Sequence, residues 1–147
     1  MYRTRTHHYE YLQYLADRHK QNKHPINNCI LCEIDTADQS FISTSKYFKI
    51  IRNRFPYAVW DYQRVVDHLM IVPLKHTDNL AALSKEARLE YVDLISTYES
   101  AGYHVYARAT HSDTKSIAHQ HTHLINGHGP TAKMAFYLLR PYVSISF

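Results

Sequence analysis

Three histidines stand at alternate positions in His119-Gln120-His121-Thr122-His123, which runs on into Leu124 and Ile125. On an extended strand such residues project from one face, with neighbours roughly 7 Å apart. A row of imidazoles has little packing value, because each ring carries two nitrogens that need partners when buried. The pattern therefore points to phosphate chemistry or to metal coordination. Cys29 and Cys32 form a lone C-x-x-C. A structural disulfide is disfavoured in a reducing compartment. The pair is then a redox couple, half of a zinc site that needs two further ligands, or a chance spacing. Its flanks, Asn27-Asn28 before and Glu33 after, read as a turn or knuckle. A thioredoxin-like pair belongs instead at a helix N-terminus after a strand.

These residues need elements to hold them. Residues 9–23 read as an amphipathic helix, with Tyr11, Leu12, Leu15 and Ala16 on one stripe and Arg18, Lys20 and Lys23 outside it. Pro25 and Asn27-Asn28 end it and lead into the cysteine knuckle. Phe41-Ile42-Ser43 and Tyr47-Phe48-Lys49-Ile50-Ile51 are strand-like, the second rich in β-branched and aromatic residues. Arg54 to Tyr57 is a break, and residues 58–64 are a loop or a strand extension. His68 to Val72 reads as a buried strand closed by Pro73. Ser84 is the N-cap of a helix running to about Ser100, with Leu89, Val92, Leu94, Ile95 and Tyr98 on its apolar side and Gly102 as its stop. That apolar stripe is core or a dimer interface. Tyr103 to Arg108 is the next strand, and the histidine strand spans Ile117 to Ile125. Gly127 to Pro130 is a turn, followed by weaker elements at residues 135–139 and 142–147.

With 147 residues, 45% hydrophobic and 20% charged, the chain fits one soluble domain that buries a core without disulfide support. No apolar run approaches the roughly 18 residues of a membrane span. Met1 to His8 lacks the apolar stretch of a secretion signal, so a cytoplasmic protein is expected. A formal charge of +4 and a pI near 9.0 favour an anionic ligand mildly and leave nucleic acid allowed. Of the 12 histidines, His7, His8, His19 and His24 read as solvated, and His104 and His111 as surface residues. His128 follows the triad closely enough to reach a phosphate.

The segment Ser116 to Ile125 resembles the signature of the histidine triad (HIT) superfamily: three alternating histidines on a strand, after a small-residue loop with a serine three positions before the first. A second block agrees, since His68-Leu69-Met70-Ile71-Val72-Pro73-Leu74-Lys75-His76 is similar to that family's histidine-strand-proline-x-x-histidine segment. Asn53-Arg54-Phe55-Pro56-Tyr57 is similar to a stretch in members acting on dinucleoside polyphosphates. The match in order and spacing covers Cys29 to Ile125. It implies an α+β fold: an antiparallel sheet of about five strands with a long helix packed on it, here with an extra N-terminal helix, in a homodimer. The expected organisation is a single domain over residues 1–147, with a helical extension at 1–25, a core at 29–125 and a tail at 126–147.

The resemblance also implies a reaction. A HIT-type hydrolase attacks the α-phosphate of a nucleotide, either a dinucleoside polyphosphate or a nucleoside phosphoramidate, through a nucleotidyl-histidine intermediate. His121 would be the nucleophile, His123 would attend the phosphate or leaving group, and Ser116 would hydrogen-bond it. Asn53 would meet the ribose, while Lys115 and His68 would line the substrate. In zinc-bearing relatives the ligands fall on Cys29, Cys32, His76 and His119, a closed and hence structural tetrahedral site. Departures accompany the match. Lys115 replaces a common glutamine and Arg108 a common asparagine. An apparent insertion spans Trp60 to Arg64, near the expected base pocket. Gln120 and Thr122 replace apolar residues, which predicts a wetter opposite face for the histidine strand. The alternatives are a nucleotidyl transferase or phosphorylase of the same superfamily, a hydrolase with catalytic zinc on His119, His121 and His123, and a non-catalytic zinc-stabilised nucleotide- or nucleic-acid-binding module. On the leading reading the partner is a nucleotide, with no membrane and with nucleic acid disfavoured.

Overall fold

The structure, a computed structural model, describes residues 6–20, 29–113, 115–129, 134–137 and 142–145. Side chains at positions 6–9, 18 and 19 and in the last two segments lie outside the description, as do Pro25, Asn27 and Asn28. The elements that position the histidines are strands β1 (Phe41–Thr44), β2 (Phe48–Arg52), β3 (Val59–Trp60), β4 (Gln63–Pro73), β5 (His104–Ala107) and β6 (Thr122–His128). They form one antiparallel sheet in the order β1-β2-β4-β6-β5, with β3 paired to the start of β4. A separate hairpin pairs β7 (Met134–Tyr137) with β8 (Tyr142–Ile145). Helix α1 (Thr6–Lys20) precedes the sheet, the short α2 (Ile30–Glu33) carries the cysteine knuckle, and α3 (Lys85–Ser100) is the long helix. Among the described residues, no helix is long and apolar enough to cross a membrane.

Alternation along the strands divides the core in two. Phe48, Ile50, Leu69, Ile71 and Leu124 face α3 and meet Ala87, with Tyr91, Leu94, Ile95 and Tyr98 at the margin. The opposite face sets Ile51, Met70 and Val72 against Leu31 and Ile34 beside the knuckle. With both faces covered, β2 is buried continuously from Phe48 to Ile51 rather than at alternate positions. Lys49 is buried on the second face, and its Nζ donates to the Ile34 carbonyl at 2.5 Å.

Local chemistry sets the ends of α3. The Ser84 hydroxyl accepts from the Ala87 amide at 3.2 Å, as an N-cap should. At the other end Gly102 takes φ +88°, its amide bonds the Glu99 carbonyl, and the Tyr103 amide bonds that of Tyr98. This is the paired closure of a Schellman motif.

Several expectations shift in register. Leu89 and Val92 are exposed, so the buried side of α3 is Ala87, Tyr91, Leu94, Ile95 and Tyr98. On α1 Leu12 is exposed, while Tyr11 and Tyr14 lay their rings on Phe55 at 5.7 and 5.5 Å. The histidine strand begins at Thr122 and continues through Gly127 and His128, residues expected in a turn. Thr122 is fully buried, its hydroxyl 2.7 Å from that of Tyr91, and Gln120 is buried as well. The opposite face is therefore dry, because α3 supplies the hydrogen bond that an apolar residue would not need.

Candidate functional site

Strand β4 and the approach to β6 carry the histidines. The register pairs Met70 with His123 and His68 with Ile125, so His68 and His123 share the face turned away from α3. All four histidines here are nearly buried, with His119 0%, His68 2%, and His121 and His123 each 6% exposed. Rings this deep must have partners, and the partners identify which nitrogen carries each proton.

For His121, Nδ1 lies 2.8 Å from the carbonyl of His119. A carbonyl only accepts, so Nδ1 bears the hydrogen and Nε2 keeps its lone pair. At His68 the order runs the other way. The Tyr57 amide donates to His68 Nδ1 at 3.1 Å, which places the ring hydrogen on Nε2. His68 Nε2 lies 2.9 Å from His123 Nδ1 and donates to it, leaving His123 with its hydrogen on Nε2. Two adjacent rings, 5.0 Å apart and nearly perpendicular, thus hold opposite tautomers. One is a lone-pair donor and the other a proton donor. Burial holds the His121 imidazole below its usual pKa, opposed by the His119 carbonyl and reinforced by the positive charges of Lys115 and Arg108. The ring is neutral at neutral pH.

Of the other predicted residues, Asn53 reaches the His68 ring and Lys115 acts on His121 through its charge, whereas no hydrogen bond joins Ser116 to the pair. Asn53 follows β2; its amide nitrogen lies beside the His68 ring, 3.4 Å from Nδ1 and 3.1 Å from Nε2, a packing contact because Nε2 gives its hydrogen to His123, and its Oδ1 accepts from the Phe55 amide. Lys115 reaches the Asp78 carbonyl at 2.8 Å and Gln120 Oε1 at 3.1 Å. Ser116 is exposed on the loop before His119, and its carbonyl accepts from the Tyr11 hydroxyl at 3.1 Å. Two concavities of about 400 and 620 Å³ flank the site and share Arg52, Asn53 and Pro56, the smaller one reaching His68 and Tyr57. Neither is lined by His121 or His123. His104, His111 and His128 are exposed.

His119 turns toward the cysteines instead. Its Nε2 donates to the Pro73 carbonyl at 3.1 Å, which leaves Nδ1 as an acceptor 3.4 Å from Cys29 Sγ and 3.3 Å from Cys32 Sγ. His76 Nδ1 stands 3.3 Å from Cys32 Sγ. The four ligand atoms all lie within 4.8 Å of one another, close enough to hold a metal ion. Tetrahedral zinc with bonds near 2.0–2.3 Å sets its ligand atoms roughly 3.3–3.8 Å apart, and the three contacts of 3.3–3.4 Å fall in that range. Burial, with help from His76, pushes His119 down to about 4, so it offers a neutral ring. Burial and the neighbouring Cys29 push the Cys32 thiol up to about 11. A bound cation reverses that by stabilising the thiolate. Because His119 belongs to this cluster, the three triad histidines do not converge on one point as a catalytic metal site would require.

One aromatic group beside the histidines has contacts that its motif did not specify. Tyr57 packs on His68 and His123 with centroids 4.8 and 5.7 Å away, and Trp60 stacks on Tyr57 at 5.6 Å. The apparent insertion is the turn of a β3–β4 hairpin, closed by Asp61 and Tyr62 at φ 47° and 60°. Its missing signal was a glycine or asparagine, the residues such a turn usually carries.

A family model described as "Protein similar to CwfJ C-terminal" matches residues 16–125. No curated protein sequence matches the chain. Among solved structures, a HIT family hydrolase from Clostridium thermocellum is 18% identical with a TM-score of 0.53, over 72% of this chain and 97% of that one. A HIT family hydrolase from Legionella pneumophila Philadelphia 1 is 18% identical with a TM-score of 0.52, over 69% and 95%. A hypothetical histidine triad nucleotide-binding protein from Sulfolobus tokodaii strain7 is 18% identical with a TM-score of 0.52, over 77% and 78%. These likenesses show a HIT-like fold.

Proposed function

The chain belongs to the family of proteins similar to the CwfJ C-terminal region, and from that premise we propose that it is a HIT-type nucleotide hydrolase working through a nucleotidyl-histidine intermediate. The observation that carries this reading is the pair of opposed tautomers at His121 and His123. The names of the Clostridium and Legionella hydrolases support it at the level of the family.

In the first step the Nε2 lone pair of His121 forms a bond to the α-phosphorus of the nucleotide. The bond from phosphorus to the leaving group breaks, its electron pair departs with the leaving group, and the Nε2 hydrogen of His123 is donated to that atom. In the second step water attacks the same phosphorus, the phosphorus–nitrogen bond breaks, and the pair returns to His121. The proton lost by water restores His123. Asn53 meets the ribose hydroxyls, Ser116 and Lys115 bind phosphate oxygens, and His68 orients His123. Zinc is the metal we assign to Cys29, Cys32, His76 and His119, where it would stabilise the thiolates and fix the knuckle to His119. The same reading takes the protein as a cytoplasmic homodimer. Free Cys29 and Cys32 fit a reducing compartment, and the exposed Leu89, Val92 and Val105 give a second copy something to bury.

The test is direct. Incubation with diadenosine tetraphosphate or adenosine phosphoramidate, followed by a quench in base, should leave a nucleotidylated peptide containing His121 by mass spectrometry. His121→Ala should lose the adduct and at least ~10³-fold in kcat. Turnover without any His121 adduct, abolished at once by chelators, would count against the mechanism.

A further inference from the structure

We propose that helix α1 completes the nucleotide site and that Tyr11 is a positioning residue for Ser116, setting where the Ser116 hydroxyl meets the phosphate. The inference rests on the nucleotidyl-histidine reading and adds a residue to it. That residue precedes the segment the family model matches, which begins at residue 16. Helical spacing supplies the contact face. Tyr11 and Tyr14 stand three apart on α1 and are neighbours on one side of it. Both rings lie against Phe55, that of Tyr11 edge-on with an interplanar angle of 71°. Arg54 reaches the Tyr14 hydroxyl at 3.4 Å. The helix is thereby fixed to the segment that follows Asn53.

From that position α1 meets the site at two separate places. Glu10 lines the smaller concavity together with Asn53, Tyr57 and His68. Tyr11, the next residue, donates its hydroxyl hydrogen to the Ser116 carbonyl, 105 positions away in sequence. Burial raises the pKa of this phenol above its usual value, opposed by the Ser116 side chain. At neutral pH the hydroxyl therefore keeps the hydrogen that it donates.

The bond matters because of where Ser116 lies. It is exposed, on the loop between β5 and β6. On either side of it the loop is tied to another segment, by Lys115 Nζ to the Asp78 carbonyl and by the Gln120 amide to the Thr77 carbonyl at 2.6 Å. Tyr11 supplies the anchor at Ser116 itself. With its peptide held, the Ser116 hydroxyl has only its staggered rotamers to choose from. Positioning of that kind is valuable in a reaction, since an error near 1 Å can cost about 10²-fold in rate. Tyr11 touches no reacting atom and acts through Ser116.

Tyr11→Phe removes the donor and keeps a ring on Phe55. With diadenosine tetraphosphate it should lower kcat by about fivefold, the size of one hydrogen bond. In a Ser116→Ala background the same change should cost less than about twofold, because the group it positions is gone. A role confined to packing α1 would give the same loss in both backgrounds. That result would overturn the proposal, as would no loss in either. Equilibrium dialysis of AMP against the same four proteins gives a second cycle that needs no turnover. There Tyr11→Phe should weaken AMP by about threefold or more with Ser116 present and leave it unchanged in the Ser116→Ala chain. If nothing is turned over and His121 carries no adduct, the proposed reaction fails and the AMP cycle decides alone. Equal weakening in both backgrounds, or no AMP bound, would then overturn the positioning role.

Discussion

At the scale of the single residue, His68 has the most consequence for its size. It lines the smaller concavity and also decides which His123 nitrogen holds a proton. Replacing it with alanine removes the donor to His123 Nδ1 and frees that ring to adopt either tautomer. His68→Ala should therefore lower kcat by about 10²-fold for substrates whose leaving group must be protonated, the usual size of a general-acid effect. For a nucleotide p-nitrophenyl ester, whose leaving group departs without a proton, the loss should be far smaller. Steady-state kinetics on the two classes measures the difference. The same loss on both would show that His68 merely packs the site. His121 differs in kind: its partner is a main-chain carbonyl, which side-chain mutation cannot remove.

At the scale of elements, the β3–β4 hairpin depends on the absence of one side chain across the sheet. Gly127→Ala puts a methyl into Gln63 at a distance that requires something to move. The expected cost is about 1–3 kcal/mol, as for other overpacked sites, read as a lower urea midpoint with unchanged slope. Coupling it to Gln63→Gly should recover part of that, since the two sites share the contact. This hairpin is also where the sequence was least legible. Gly102, Ser84 and the apolar strands announce themselves through turn chemistry and patterning, and so does the order of the histidine blocks. Asp61-Tyr62 carries no such mark, because its left-handed turn is imposed by the pairing around it. The division of the α3 stripe between core and exposed surface is illegible for a related reason. Leu89 and Val92 are as apolar as Leu94 and Ile95, and only the sheet decides which of them it covers. Tyr57 and Tyr106 stand among 13 tyrosines, their packing on His123 set by contacts across β4, β6 and β5.

At the scale of the whole molecule, the Cys29, Cys32, His76 and His119 cluster draws together three segments that are distant in sequence, and does so at the edge of the second core. One zinc per chain is the expected stoichiometry by atomic emission. Cys29→Ser or prolonged chelation should release it and lower the melting temperature by ~5 °C or more, since the ligands' binding energy is also folding energy. A metal-free chain with an unchanged melting curve would contradict the assignment. His119 does two jobs in this arrangement, offering its ring to the cluster and its carbonyl to His121. Loss of the ion would loosen the carbonyl that aims the nucleophile, although the ion stands outside the chemistry. Inactivation by a chelator would then follow the slow release of a tether, with a rate indifferent to substrate concentration. Such an inhibition curve, met in isolation, would invite the label metalloenzyme for a protein whose proposed zinc would never meet its substrate.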